Sequence, residues 1–145
     1  METVNDISEI LKVTKIKPKK IYIYTSPNWK QDIYKKAIEL DDKNKLDMGS
    51  IMKDIMSDPD MRKKGKIISK FIGKLNKEII KLSNNDKKRY LTDINEKNYL
   101  DDSKDYIKKI FNCDVNIYNS DEKEKYDPEN KSRFAEPLKP AIYIE

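Results

Sequence analysis

Ile21-Tyr22-Ile23-Tyr24 carries an apolar or aromatic side chain at every position and sits between Lys19-Lys20 and Thr25-Ser26. Successive strand residues face opposite sides of a sheet, so an unbroken apolar run reads as a strand covered on both faces. It is the central strand on which the rest of the reading depends. The next strand signal is far downstream, over 114–119, where Val115 and Ile117 alternate with polar residues. Between the two, apolar residues recur at helical spacing. Ser26-Pro27 starts one helix, which continues through Trp29, Ile33, Tyr34, Ala37, Ile38 and Leu40. After a charged turn over 41–45 come Met48, Ile51, Met52 and Ile55, then a long block over 58–82. A polar break at Ser83-Asn84-Asn85-Asp86 precedes a short piece with Tyr90, Leu91 and Ile94, and a last helix carries Tyr99, Leu100, Tyr106, Ile107, Ile110 and Phe111. A strand, several helices and a second strand imply a right-handed crossover with the strands parallel or nearly so.

Upstream, Val4, Ile7, Ile10 and Leu11 predict a helix over 3–14, with Thr3 and Asp6 spaced as a capping box. Lys15-Ile16-Lys17-Pro18-Lys19-Lys20 follows as a basic connector. Downstream, 120–140 has no periodicity and is punctuated by Asp127-Pro128, Glu136-Pro137 and Lys139-Pro140; loops of that length are functional or disordered. Ala141-Ile142-Tyr143-Ile144-Glu145 reads as a short terminal strand tying the loop back. The expected fold is α/β, a small mixed or parallel sheet of about three short strands packed with about four to six helices. A single domain is expected over 1–145: lead-in helix and basic connector over 1–18, a strand-helices-strand body over 19–119, and a long loop with a terminal strand over 120–145.

The 145 residues suit one core that buries about two thirds of the unfolded surface. Charged residues make up 39% and hydrophobic ones 37%, a composition close to disorder, but the apolar residues fall in periodic blocks and so predict a folded domain with a charged shell. There is no histidine and one cysteine, which excludes a disulfide framework, a Cys/His zinc site, a Ser-His-Asp or Cys-His nucleophile and imidazole acid–base chemistry. Cys113, beside a strand, reads as a small core residue. Three glycines leave no Gly-rich phosphate loop. With no apolar run of membrane-spanning length, the chain is expected to be soluble and cytoplasmic, with no membrane partner.

The block over 58–82 reads as one long helix with Asp58 as N-cap, Pro59 in the first position and Asp60 complementing the dipole. At ~100° per residue, Met61, Ile68, Phe71, Ile72, Leu75, Ile79 and Leu82 share one face, while Lys63, Lys66, Lys70, Lys74, Lys77 and Lys81 fall within roughly 80° on the other side. A lysine row is most simply a solvated surface. Here Glu78 is the only acid after Asp60, so neutralisation by i,i+4 glutamates does not explain it, and the row is a candidate phosphate-contacting surface.

Four motifs in order carry a family resemblance: Lys19-Lys20-Ile21-Tyr22-Ile23-Tyr24 with Pro27-Asn28-Trp29-Lys30, then Asp58-Pro59-Asp60-Met61-Arg62-Lys63-Lys64-Gly65-Lys66, then Tyr126-Asp127-Pro128, then Pro137-Leu138-Lys139-Pro140-Ala141-Ile142-Tyr143-Ile144-Glu145. Together they resemble the C-terminal domain of archaeal and eukaryotic-type leucyl-tRNA synthetases over nearly the full chain. The resemblance implies a noncatalytic appendage that binds the long variable arm of leucine tRNA and helps present the acceptor end for charging and editing. It implies no cofactor for this domain, whereas the parent ligase would use ATP and Mg, and it names leucine tRNA and the rest of the synthetase as partners, with no DNA.

On this reading the lysine helix positions an A-form stem through its phosphates, while Lys131, Arg133 and Phe134 of the late loop, with Ile144 and Glu145, read exposed bases. The expectation for the terminus is geometric as well. A strand ending at a sheet edge leaves its last backbone groups and a carboxylate unpaired, able to meet base amino groups. Two other functions fit the residues less fully: an interaction module docking the basic helix on an acidic partner, and a small hydrolase using carboxylates and a divalent metal, for which no spacing exists.

Overall fold

The computed structural model describes residues 2–43, 47–91 and 96–145, together with all their side chains except that of Glu2. The expected positions Lys45 and Ile94 lie outside the described residues. The chain divides into two compact units, Met1–Lys30 with Ile94–Glu145, and Gln31–Asp93.

The first unit holds the sheet. β1 (Lys20–Thr25) lies between β2 (Asp114–Asn119) and β3 (Ala141–Ile144). β1 and β2 run parallel with Ile21 opposite Val115 and Ile23 opposite Ile117; β1 and β3 run antiparallel with Ile21 opposite Ile144 and Ile23 opposite Ile142. The sheet is therefore mixed, and the α/β class is as expected. The register puts the isoleucines of all three strands on one face. There Ile21, Ile23 and Ile117 form a core with Ile7 of α1 (Glu2–Thr14), Leu100 and Ile107 of α7 (Glu96–Phe111), and Val115, against which Val4, Leu11, Phe111, Cys113, Ile142 and Ile144 are partly buried. Cys113 is thus packed as expected, and burial pushes its thiol up, with Asp114 adding to the effect. The opposite face of the sheet is built of tyrosines: Tyr22 stacks with Tyr143 at 5.9 Å between ring centroids and Tyr24 with Tyr118 at 6.1 Å. The full coverage that a wholly apolar strand predicts is realised, since Ile21 to Thr25 are all buried.

One capping assignment is corrected. Thr3 lies inside α1 and is buried, so it does not stand before the helix as an N-cap. The helix ends at Thr14: Lys15 gives its N–H to the Leu11 carbonyl at 2.9 Å, and its left-handed φ of 54° then turns the chain out of the helix.

The second unit is helical, with α2 (Asn28–Asp42) entering it after its first turn, then α3 (Met48–Ile55), α4 (Pro59–Arg62), α5 (Gly65–Lys81) and α6 (Asn84–Leu91). Ile33, Tyr34, Ala37, Ile38, Ile51, Ile68, Phe71, Ile72, Leu75 and Ile79 are buried. Tyr34 organises the aromatic part, with its ring 5.7 Å from Phe71 and 4.9 Å from Tyr90, and its hydroxyl donating to the Glu78 carboxylate. Among the described residues there are seven α-helices, because the block expected as one helix is two. α4 starts as predicted, Asp58 accepting from the Asp60 N–H at 2.9 Å with Pro59 in the first turn. It stops at Lys63; Lys64 then takes a non-helical ψ of 16°, and Arg62 Nε donates to the Met56 carbonyl at 2.5 Å. Ser83 is the cap of α6: its hydroxyl accepts from the Asp86 N–H at 3.2 Å and donates to the Asp86 carboxylate at 2.8 Å.

Candidate nucleic-acid interface

Two sets of residues were singled out by the sequence, and each lies within one unit. The lysine row belongs to the second. Lys66, Lys70, Lys74, Lys77 and Lys81 all lie on α5 and all are exposed, whereas Ile68, Phe71, Ile72, Leu75 and Ile79 of the same helix are buried. At ~100° per residue the buried side centres roughly opposite the lysines. Lys63 is at the end of α4, outside α5, and lies 3.9 Å from Asp60. Lys66, Lys70, Lys77 and Lys81 make no ion pair among the described residues. The charge excess is confined in the same way. Gln31–Asp93 holds 16 basic and 11 acidic residues, and the rest of the chain holds 15 of each, so the whole net charge of +5 falls in the helical unit.

The second set is in the sheet unit. Lys131, Arg133 and Phe134 form a 3-10 turn, Lys131–Phe134, inside the loop that sequence periodicity left blank, and this turn packs on β3 and β1. Two charged residues hold it. The Asp127 carboxylate accepts from the N–H groups of Lys131 (2.7 Å) and Ser132 (3.1 Å) and from the Ser132 hydroxyl (2.5 Å). Burial pushes the Asp127 carboxyl up, but these bonds outweigh it and hold the group below the usual carboxylate range. From the other side Lys30, itself 7% exposed, donates its ammonium to the carbonyls of Ala135 (2.7 Å) and Arg133 (3.2 Å). With the turn so fixed, the Phe134 ring is exposed and the Arg133 guanidinium lies over it at 4.6 Å. An exposed aromatic with a guanidinium on its face suits base stacking.

The terminus departs from expectation. Glu145 is paired: its N–H donates to the Lys20 carbonyl at 2.9 Å, its carbonyl accepts from Lys20 (3.1 Å) and Lys19 (2.6 Å), and its side chain accepts from the Tyr126 hydroxyl at 2.5 Å. That last bond, with burial, pushes the Tyr126 hydroxyl up to about 12. The reciprocal Lys20–Glu145 bonds fix the phase of the antiparallel ladder, so the neighbouring Ile21–Ile144 pair is of the non-bonded type. The backbone groups directed away from β1, to the outer edge of β3, are therefore those of Ile144 and Ile142, while the Ile144 side chain lies against the core.

Sequence reasoning missed Lys30, Asp127 and Glu96. The first two were quoted only as parts of motifs. Glu96, at the start of α7, is 8% exposed; its Oε1 accepts from the backbone N–H of Leu138, and its Oε2 has no partner among the described residues. Burial pushes this carboxyl up against the opposing effect of the Leu138 and Ser26 backbone N–H groups. Leu138 occupies a left-handed φ of 60° after Pro137, in a turn closed by the Glu136 and Lys139 backbone groups at 3.0 and 2.8 Å. A leucine at that position of a proline-led turn is unfavourable, and the Glu96 carboxylate holds its N–H. No group of three or more His, Cys, Asp or Glu side chains that could hold a metal occurs among the described residues, and no helix among them is long and apolar enough to cross a membrane.

No family model matches the chain. It is similar, over nearly its whole length, to part of several archaeal proteins named leucine–tRNA ligase: 44% identical to that of Methanococcoides burtonii over 99% of the chain, 38% to that of Methanocaldococcus jannaschii over 97%, and 39% to that of Pyrococcus abyssi over 98%. The chain spans 15%, 13% and 13% of the length of these relatives. These matches bear out the resemblance to leucyl-tRNA synthetases, in the proportion of one domain to a much longer enzyme.

Proposed function

We propose that the chain is the C-terminal tRNA-binding domain of a leucyl-tRNA synthetase, holding the long variable arm of leucine tRNA so that the parent ligase can charge and edit the acceptor end. The observation that carries this reading is the exposed lysine arc of α5, joined to the similarity with leucine–tRNA ligases. An A-form stem presents phosphates and 2′-hydroxyls to a surface of this kind, and a row of ammonium groups follows them without reading sequence. Base reading falls to the sheet unit, through Arg133 and Phe134 on the 3-10 turn, Lys131 beside them, the outward backbone of Ile144, and the carboxylate of Glu145. ATP and Mg belong to the parent enzyme, and the site of action is the cytoplasm.

The test is a binding comparison between leucine tRNA and the same tRNA with its variable arm deleted, measured across a salt series. Tighter binding to the intact tRNA is expected, with strong salt dependence for both. Equal binding to the two would end the variable-arm reading. Binding to an acidic protein fragment of the parent enzyme in place of RNA would turn the lysine helix into a docking element.

A further inference from the structure

Gly73 stands at the middle of α5, where glycine is among the poorest residues for a helix. Close packing by a neighbour is the ordinary reason for such a glycine. It does not apply here, because a Cβ built on Gly73 meets no atom within 4 Å, and the residue is exposed. The fold of this unit therefore gains nothing from the missing side chain.

Its surroundings on the helix surface are informative. Residues three and four positions away are neighbours on a helix, so Gly73 is framed by Lys70 and Lys77 on one side and by Ser69 and Asn76 on the other, all of them exposed. At ~100° per residue it lies about 20° beyond Lys66, at the margin of the lysine arc. The result is a stretch of bare helix backbone with ammonium groups along one side and a hydroxyl and an amide along the other. Ammonium groups attract phosphate oxygens, while Ser69 and Asn76 offer donors and acceptors of the kind that meet phosphate oxygens and ribose 2′-hydroxyls. A missing side chain allows the closest approach of another backbone.

We propose that Gly73 is the point at which the ribose–phosphate backbone of an RNA strand comes against α5, held by Lys70 and Lys77 and bonded by Ser69 and Asn76. The contact is blind to base identity. It rests on the reading of the lysine face as phosphate-tracking and adds the place and closeness of the approach.

The experiment uses the full 145-residue chain and a leucine tRNA transcript, with affinity measured by fluorescence anisotropy over a salt series for wild type, Gly73→Ala, Gly73→Leu, and a Lys66, Lys70 and Lys74 triple alanine variant. Gly73→Ala is expected to raise the thermal midpoint, since the site is open and alanine favours helix. The same change should weaken tRNA binding several-fold, and Gly73→Leu by about tenfold or more. Neither should alter the salt slope, because no charge is removed. If both Gly73 variants bind as wild type while the lysine variant binds more weakly with a flatter slope, the close approach is refuted and the lysine reading stands. If the lysine variant also matches wild type in affinity and slope, both fall. A lowered midpoint for Gly73→Ala would overturn the premise that nothing in the fold needs the glycine. Equal weakening of a glutamate-rich peptide by the Gly73 variants would assign the cradle to protein instead of RNA.

Discussion

Replacing Glu96 by alanine should destabilise the sheet unit by about 1–3 kcal/mol. Leu138 is half-buried, and truncation leaves its N–H without its acceptor. An unsatisfied buried donor costs about 1–3 kcal/mol, and relief of the buried carboxylate returns part of the sum. At about 2–4 °C per kcal/mol for a chain of this size, the midpoint should fall by roughly 2–12 °C. Glu96→Gln separates the acceptor from the charge. It keeps an oxygen for the Leu138 N–H and removes a carboxylate that burial pushes up, so at pH 7 it should match or exceed wild type. The native carboxyl holds its proton more readily than the unfolded one, so wild type gains stability as pH falls through the native value towards the ordinary range near 4.3. The glutamine variant lacks that gain, and its advantage should shrink on acidification. Thermal melts from pH 4.5 to 8, with amide exchange at Leu138 and Glu145, measure all of this. An alanine variant within about 0.5 kcal/mol of wild type, or a glutamine variant as damaged as alanine, would refute the assignment of Glu96 as the acceptor that holds the Pro137-Leu138 turn.

If about four lysines of α5 engage phosphates, log K against log salt should have a slope near −3, and the Lys66, Lys70 and Lys74 triple alanine variant should flatten it by a little over two units; equal slopes would remove the row from the interface. Phe71→Ala, which takes a buried ring from beside Tyr34, should cost roughly 3–5 kcal/mol in denaturant titration. Asp127→Asn should cost about 1–2 kcal/mol at neutral pH and remove an acid sensitivity. The wild-type carboxyl lies below its ordinary range, so its contribution is present above pH ~4 and is lost as pH falls through the native value; melts that are parallel for both proteins down to pH 3 would contradict this. Glu145→Gln leaves the paired backbone intact, so it should leave the midpoint within about 0.5 kcal/mol of wild type and weaken leucine tRNA selectively. Unchanged tRNA binding would exclude the carboxylate from base reading.

What the sequence made legible follows the range over which each signal acts. β1 was readable from its unbroken apolar run and β2 from its alternation, both properties of the strand itself, and α5 because its buried apolar residues repeat over about three turns. The break at Lys63 and Lys64 was hidden for the same reason: Met61 and Ile68 stay in phase across it, so a periodic pattern runs on while the backbone turns. The 3-10 turn is too short to have a period, and what holds it comes from Asp127 in the preceding loop and from Lys30 about a hundred residues away. Glu96 looked like any acid opening a helix until folding buried it beside Leu138. The roles of Ile144 and Glu145 exchange on a single step of ladder phase, which only the partner strand decides.

A parallel pair of strands requires a connection of a dozen or more residues, and nothing beyond that minimum is set by the sheet. Here the connection between Thr25 of β1 and Asp114 of β2 contains the whole of Gln31–Asp93, and with it the entire net charge of the chain. The segment that carries the proposed electrostatic attraction is thus an insert in a loop, whereas the proposed base-reading edge is built from the strands and their last residues. Selection can exchange lysines and acids along the insert to suit the salt of the cell without disturbing a register that a one-residue slip would invert. Grip and discrimination can be tuned separately along the chain.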